Sequence, residues 1–157
     1  MLLSEMTFIN KGPKISERTI IEFERQWDIE LPGDYKEFLL AYNGGQSLIY
    51  TCDKPFFEFG NWLSLIPRGA ALADNVRSLV EVNRDLKVEL YDVKDEYLIL
   101  ALARELNSFL LMKIRGSSRH RIGIFSMSQN DLIEDQKLPC SSFSDFVSRL
   151  HESKEQW

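Results

Sequence analysis

Three apolar runs of strand length, Tyr97–Ala103, Phe109–Ile114 and Ile122–Met127, are separated only by short turns around Asn107-Ser108 and Arg115–Ser118. No other feature constrains the fold as much. A parallel strand pair needs a crossover of about a dozen residues or more, so these three strands must run antiparallel. The remaining segments must then cover the sheet that this meander begins.

Before the meander the hydrophobic period is helical. Ile20, Phe23 and Trp27 recur at helical spacing after Ser16, a good N-cap, which predicts a helix over Glu17–Trp27. Thr19 stands where a capping box prefers Glu, so that motif is half present. Pro32 suits the first turn of a second helix, whose apolar face is Tyr35, Phe38, Leu39 and Tyr42. Asn43-Gly44-Gly45 stops it, because these residues tolerate left-handed backbone. The two helices read as a hairpin.

The period then changes. Ser47–Cys52 and Phe56–Ile66 are rich in aromatic and β-branched residues, with a turn at Asp53-Lys54-Pro55. Pro67-Arg68-Gly69 breaks the run. Ala70–Leu86 reads as a third helix with Leu72, Val76, Leu79 and Val80 or Val82 inward, or as a shorter one capped by Asp74 or Asn75. Ser142 caps a last helix running from Phe143 to about Glu152, with Phe143, Phe146, Val147 and Leu150 on its apolar stripe. The expected fold is α+β: a central twisted, mainly antiparallel sheet, with the N-terminal helical hairpin and the C-terminal helix packed against it. At 157 residues, without repeats or linkers, the chain suits a single domain with its core at about 15–150.

Motifs that carry chemistry are absent from the sequence. There is no Gly-X-Ser-X-Gly elbow, no His-Glu-X-X-His, no Cys-X-X-Cys and no glycine-rich phosphate loop. The two histidines, His120 and His151, read as surface polar residues, and no cofactor or metal is expected. Cys52 and Cys140 are too few for a disulfide framework and read as buried small hydrophobes, compatible with a reducing compartment. The N-terminus lacks the pattern of a secretory signal, and no apolar stretch reaches about 18 residues, so a cytoplasmic protein with no membrane partner is expected.

Charge is more informative. Nineteen Lys and Arg against 24 Asp and Glu give a net charge of −5, which argues against a general nucleic-acid binder. Acids gather in Asp85–Glu96, including Asp92, Asp95 and Glu96, and again at Asp131, Glu134 and Asp135. Bases gather in Lys113–Arg121. The plain reading of both is solvated turns. The sharper reading of the acids is a docking face for a basic partner, since complementary potentials steer association. The sharper reading of the basic hairpin is an RNA or phosphate contact, which the lack of interleaved aromatics disfavours. Aromatics crowd Tyr50–Trp62, with Asp53 and Glu58 among them. They fill the sheet core or, alternatively, form a binding edge anchored by Tyr50 and Trp62.

Taken together, Ile21-Glu22-Phe23-Glu24, Leu31-Pro32-Gly33-Asp34-Tyr35 running on to Leu39, and Asn43-Gly44-Gly45 resemble the opening of the SUKH superfamily. Its members include fungal Smi/Knr cell-wall-assembly regulators and many bacterial immunity proteins. Ser142-Phe143-Ser144-Asp145-Phe146 is similar to its C-terminal helix, and Leu98–Ile114 to its central hairpin, with Glu105-Leu106-Asn107 replacing the usual Gly turn. The resemblance implies a binding role without catalytic residues. It points to an immunity protein that neutralises a cognate toxin domain, basic if a nuclease, by stoichiometric docking. The alternative is a regulatory scaffold of the fungal type; an enzyme is disfavoured. The candidate partner-binding residues are Tyr50, Asp53, Glu58 and Trp62, with Asp92, Asp95 and Glu96 as a second patch.

Overall fold

The computed structural model describes residues 1–53, 56–72, 76–89, 96–104, 108–126 and 139–155. Helix α1 spans Glu17–Trp27 and α2 spans Gly33–Ala41, both as the periodicity predicts. Thr19 Oγ1 accepts from the Ser16 amide at 3.4 Å, the half of a capping box that the sequence offers. Helix α1 exits through Asp28 in left-handed backbone, φ 52°. The Glu24 carboxylate then accepts from the Leu31 amide at 2.7 Å and pairs with Lys36 at 2.8 Å, which fixes the connection to α2.

Strand β1 spans Phe8–Lys11, β2 Gly45–Asp53 and β3 Phe56–Trp62. Helix α3, Leu79–Glu89, precedes the meander of β4 (Tyr97–Ala103), β5 (Ser108–Lys113) and β6 (Ile122–Ser126). Helix α4 spans Phe143–Ser148, and β7 is His151–Glu152. Among the described residues one sheet runs β1-β2-β3-β4-β5-β6, with β7 added to β2. All of these pairings are antiparallel.

An aromatic cluster joins the sheet to α2 and α4. Phe38 lies 5.3 Å from Trp62 and 5.1 Å from Phe143, and Phe59 meets Phe146 edge-on at 5.8 Å. Across the ladder Phe59 faces Ala103 and Trp62 faces Ala101, so small residues leave room for the rings. The Asp34 carboxylate accepts from the amides of Tyr35 at 2.9 Å and Ser144 at 2.7 Å, tying the first turns of α2 and α4 together.

Two buried asparagines act as substitute peptides. Asn43 donates to Pro13 O and Leu65 O and accepts from Leu65 N, at 2.7 to 2.9 Å. Asn83 donates to Ile99 O at 2.9 Å and to Leu79 O at 2.8 Å, and accepts from Ile99 N at 2.7 Å. Beside Asn43, Gly44 takes φ 70°, and a Cβ there would lie 2.3 Å from Leu63 O, so no other residue fits.

Some sequence expectations change. The third helix starts at Leu79, not Ala70. Ser78 bridges Ser64 in parallel, and Ser64 N donates to Arg77 O at 2.9 Å, which ties Arg77 and Ser78 to Ser64 outside any helix. Ser78 Oγ accepts from Glu81 N at 3.2 Å and is the cap; Leu72 is 48% exposed rather than inward. The proposed caps Asp74 and Asn75 lie outside the described residues. The last helix ends at Ser148 because His151 and Glu152 pair with Thr51 and Tyr50. The Phe56–Ile66 run is strand only as far as Trp62. Lys54-Pro55, Asn107 and Asp131–Asp135 lie outside the described residues.

Candidate binding surface

Hydrogen bonding decides where each expected contact residue goes. Tyr50 and Trp62 are each 1% exposed, so they are core residues and not surface anchors. Tyr50 Oη accepts from Thr7 N at 2.6 Å, and Trp62 Nε1 donates to Ser47 Oγ at 3.0 Å. Their aromatic planes fill the sheet interior and their polar atoms are satisfied there. This corrects the binding-edge reading of these two residues in favour of the core reading.

Glu58 is different. It sits on the opposite face of β3 from Phe59, with its side chain 19% exposed. Its Oε2 pairs with Arg104 at 3.2 Å and its Oε1 accepts from Ser153 Oγ at 2.9 Å. Asp53 pairs through its backbone with Phe56 at the end of β2; its side chain lies outside the described set. Asp92 and Asp95 also lie outside the described residues. Glu96 is half-buried immediately before β4, and its carbonyl accepts from Ile114 N at 2.7 Å. Glu58 pairs with Arg104 beyond the other end of β4. At about 3.3 Å per residue the two acidic groups are therefore roughly 25 Å apart. They do not form one site.

The Glu96–Ile114 bond also joins the end of the acidic segment to the start of the basic turn. Part of that turn is anchored to the fold, while residues 116–119 are exposed. Lys113 is 4% exposed. Arg115 donates to Trp27 O at 2.6 Å and Asp28 O at 3.0 Å, covering the carbonyls that α1 leaves unsatisfied. His120, half-buried rather than simply surface polar, places Nε2 3.0 Å from Glu30 O. Gly116, Ser118 and His120 all take positive φ, at 77°, 58° and 71°, so these anchors hold the turn in a costly shape. Sequence reasoning missed this inward use, because the helix end that receives Arg115 lies 87 positions away.

Two grooves flank these elements. One, about 690 Å³, lies between the α1 exit and the β5–β6 turn; its charged lining is balanced, with Glu24, Asp28 and Glu30 against Arg25, Arg115 and Arg119. The other, about 390 Å³, is formed by Thr51 and Glu58 with the segment His151–Glu155.

Cys52 and Cys140 are free and buried, as expected of small hydrophobes, and burial pushes the Cys140 thiol up to about 11. Among the described residues no three His, Cys, Asp or Glu side chains group to hold a metal ion. No described helix is long and apolar enough to cross a membrane.

No curated protein matches the chain. A family model, that of the SMI1 / KNR4 family (SUKH-1), matches residues 14–149, from just before α1 through α4. The matched region includes the two N-terminal helices, the whole meander and the C-terminal helix, and the chain therefore belongs to the SMI1/KNR4 (SUKH-1) family.

Proposed function

We propose that this SUKH domain is a non-catalytic binding protein of the immunity type. It neutralises a toxin domain with a basic active-site surface, such as a nuclease, by docking on it in a stoichiometric complex. Family membership supports a binding role. The observation that carries the choice of a basic partner is the inward use of the basic turn. Lys113 is buried and Arg115 and His120 are tied to carbonyls near α1, so these bases are less free to reach a partner, although the Arg115 guanidinium stays part-exposed beside Asp28. Glu81 and Asp85 lie exposed on α3, at the head of the segment that continues to Asp92, Asp95 and Glu96. Such a field steers a basic groove toward the protein and occludes it, much as the nucleic-acid backbone would.

The test expresses the neighbouring reading frame with this chain; a neighbour without a toxin domain counts against the immunity reading. The two are co-purified, and affinity is measured at low and high salt. Reversing Asp92, Asp95 and Glu96 to Lys should slow association by about 10- to 1,000-fold and flatten the salt dependence. Unchanged affinity and slope would remove this segment from the interface. Recovery of housekeeping proteins alone would overturn the immunity reading and leave the scaffold role of the fungal relatives.

A further inference from the structure

We propose that the turn between β5 and β6 is an anion site that takes a phosphoryl group, free or carried on a small ester. Residues 116–119 of this turn are exposed and take no part in the functional reading above. Lys113 N donates to Arg121 O at 2.9 Å and His120 N to Lys113 O at 2.7 Å, which closes the hairpin around them. Inside it, the amides of Gly116, Ser117, Ser118 and Arg119 have no partner among the described residues, and neither do the hydroxyls of Ser117 and Ser118.

The hand of the backbone gathers these donors. Gly116, Ser118 and His120 have φ of 77°, 58° and 71°, while Ser117 and Arg119 between them do not take positive φ. Alternation of this kind points successive N–H groups into one concavity, the arrangement that holds phosphate in many unrelated loops. Two of the three left-handed residues are not glycine, so the shape is kept against its local cost. Arg115 and His120 keep it, through the carbonyls of Trp27, Asp28 and Glu30 at 2.6 to 3.0 Å. The donors are therefore ordered before a ligand arrives.

The surrounding charge favours the same ligand. The turn forms one wall of the groove of about 690 Å³, and α1 with its exit forms the other. Side-chain charges there balance by count but not by use. Glu24 is spent on Leu31 N and Lys36, and Asp28 lies 3.8 Å from Arg115. Arg25 and Arg119 have no partner among the described residues, and Arg115 keeps N–H donors beyond the two given to carbonyls. Glu30 is the exposed acid left over, and it belongs to the opposite wall. A tetrahedral oxyanion uses amides and a guanidinium together, through short charge-assisted bonds. Aromatics, whose lack disfavours RNA, serve to stack bases; a lone phosphoryl group needs none. Ile21, Ile29 and Ile114 line the rest of the groove and give apolar room for the organic part of an ester.

The experiment titrates the full nitrogen-15-labelled chain with inorganic phosphate and with phenyl phosphate at constant ionic strength, with benzoate as the carboxylate control. Saturable amide shifts should centre on residues 115–120 and reach 25–30, and benzoate should bind more weakly than phenyl phosphate. Tighter binding of phenyl phosphate assigns the ester, and tighter binding of the free ion assigns phosphate itself; either supports the site. Arg119→Ala, at an exposed position, should weaken binding at least about tenfold. Gly116→Val keeps every charge but disfavours the left-handed backbone, and should weaken binding as much. Unperturbed core amides will confirm that each variant folds, and Arg119→Ala decides the matter alone if Gly116→Val does not. No saturable shift, shifts spread over cations across the whole surface, benzoate binding as tightly as phenyl phosphate, or a folded variant at wild-type affinity would each overturn the inference. Toxin neutralisation by Arg119→Ala at the wild-type level keeps the immunity reading whichever way the titration falls.

Discussion

Asn83 gives the sharpest test of how α3 is held. The ladder between β3 and β4 ends at the Trp62–Ala101 pair, and the register of β4 shifts between Ile99 and Ala101. Ile99 N and O are therefore turned away from β5 with no strand beside them, and the Asn83 amide satisfies both. Asn83→Ala leaves these two backbone groups buried without partners. At roughly 1–3 kcal/mol for each of the two unsatisfied groups, the expected loss is about 2–6 kcal/mol. For a chain of this size each kcal/mol lowers Tm by about 2–4 °C, so the drop should be about 4–24 °C. Urea unfolding should show a lower midpoint at unchanged slope, and the Ile99 amide should exchange faster with solvent. Asn83→Asp provides an internal control. Its carboxylate can accept from Ile99 N but cannot donate to Ile99 O or Leu79 O. Burial raises its pKa, and the protonated form donates again, so this variant should gain stability as pH falls. A loss below about 0.5 kcal/mol in Asn83→Ala, with normal Ile99 protection, would refute the substitute-peptide reasoning.

Two further outcomes follow from the helix ends. Asp145 is held below the usual carboxylate range by the Ser141 amide first and by Arg149 second. Its contribution to stability is therefore complete above the unfolded value of about 3.9 and is lost as pH falls through the lower folded value. Asp145→Asn should flatten this acid limb in urea titrations at a cost under about 1 kcal/mol, because the pair is partly exposed; an unchanged limb would show that the bonds do not persist in solution. Arg115→Ala should lose about 1 kcal/mol of stability by uncovering the α1 carbonyls, while Arg119→Ala at an exposed position should cost almost nothing. Equal effects in urea unfolding would contradict the distinction between the anchored Arg115 and the exposed Arg119.

Local order was legible where the residues themselves dictate it. The α1 period, Pro32 before α2, the left-handed Asn43-Gly44-Gly45 stop and the three meander strands all depend on chemistry within a few positions, and each lies where the spacing predicts. Distant partners were not legible. Ser64 sets the start of α3 by pairing with Ser78, and β2 converts the tail of the last helix into β7. Strand β1 escaped notice because its short sequence, Phe8–Lys11, is mostly exposed and shows no alternation of its own. Among the site residues, a polar aromatic such as Tyr50 or Trp62 reads alike as an interface anchor or a core filler. The choice depends on Thr7 and Ser47, which supply its hydrogen bonds.

The same dependence on distant partners governs the charge. In sequence the basic turn offsets the acidic segment, and the two stand as separate poles. In the fold the carbonyl of Glu96 binds Ile114, so the poles meet at one end of β4 and β5, while Glu58 and the C-terminal acids lie at the far end of β4. Where the poles meet, Arg115 is tied to the end of α1 while Arg119 stays exposed, and on α3 the exposed acids Glu81 and Asp85 flank the exposed Arg84. Glu96 and Glu58 therefore stand about 25 Å apart along β4, and a single interface reaches both only if it is at least that long. If both carry contacts, reversing either one should slow association without abolishing it, and reversing both should lower the salt dependence further.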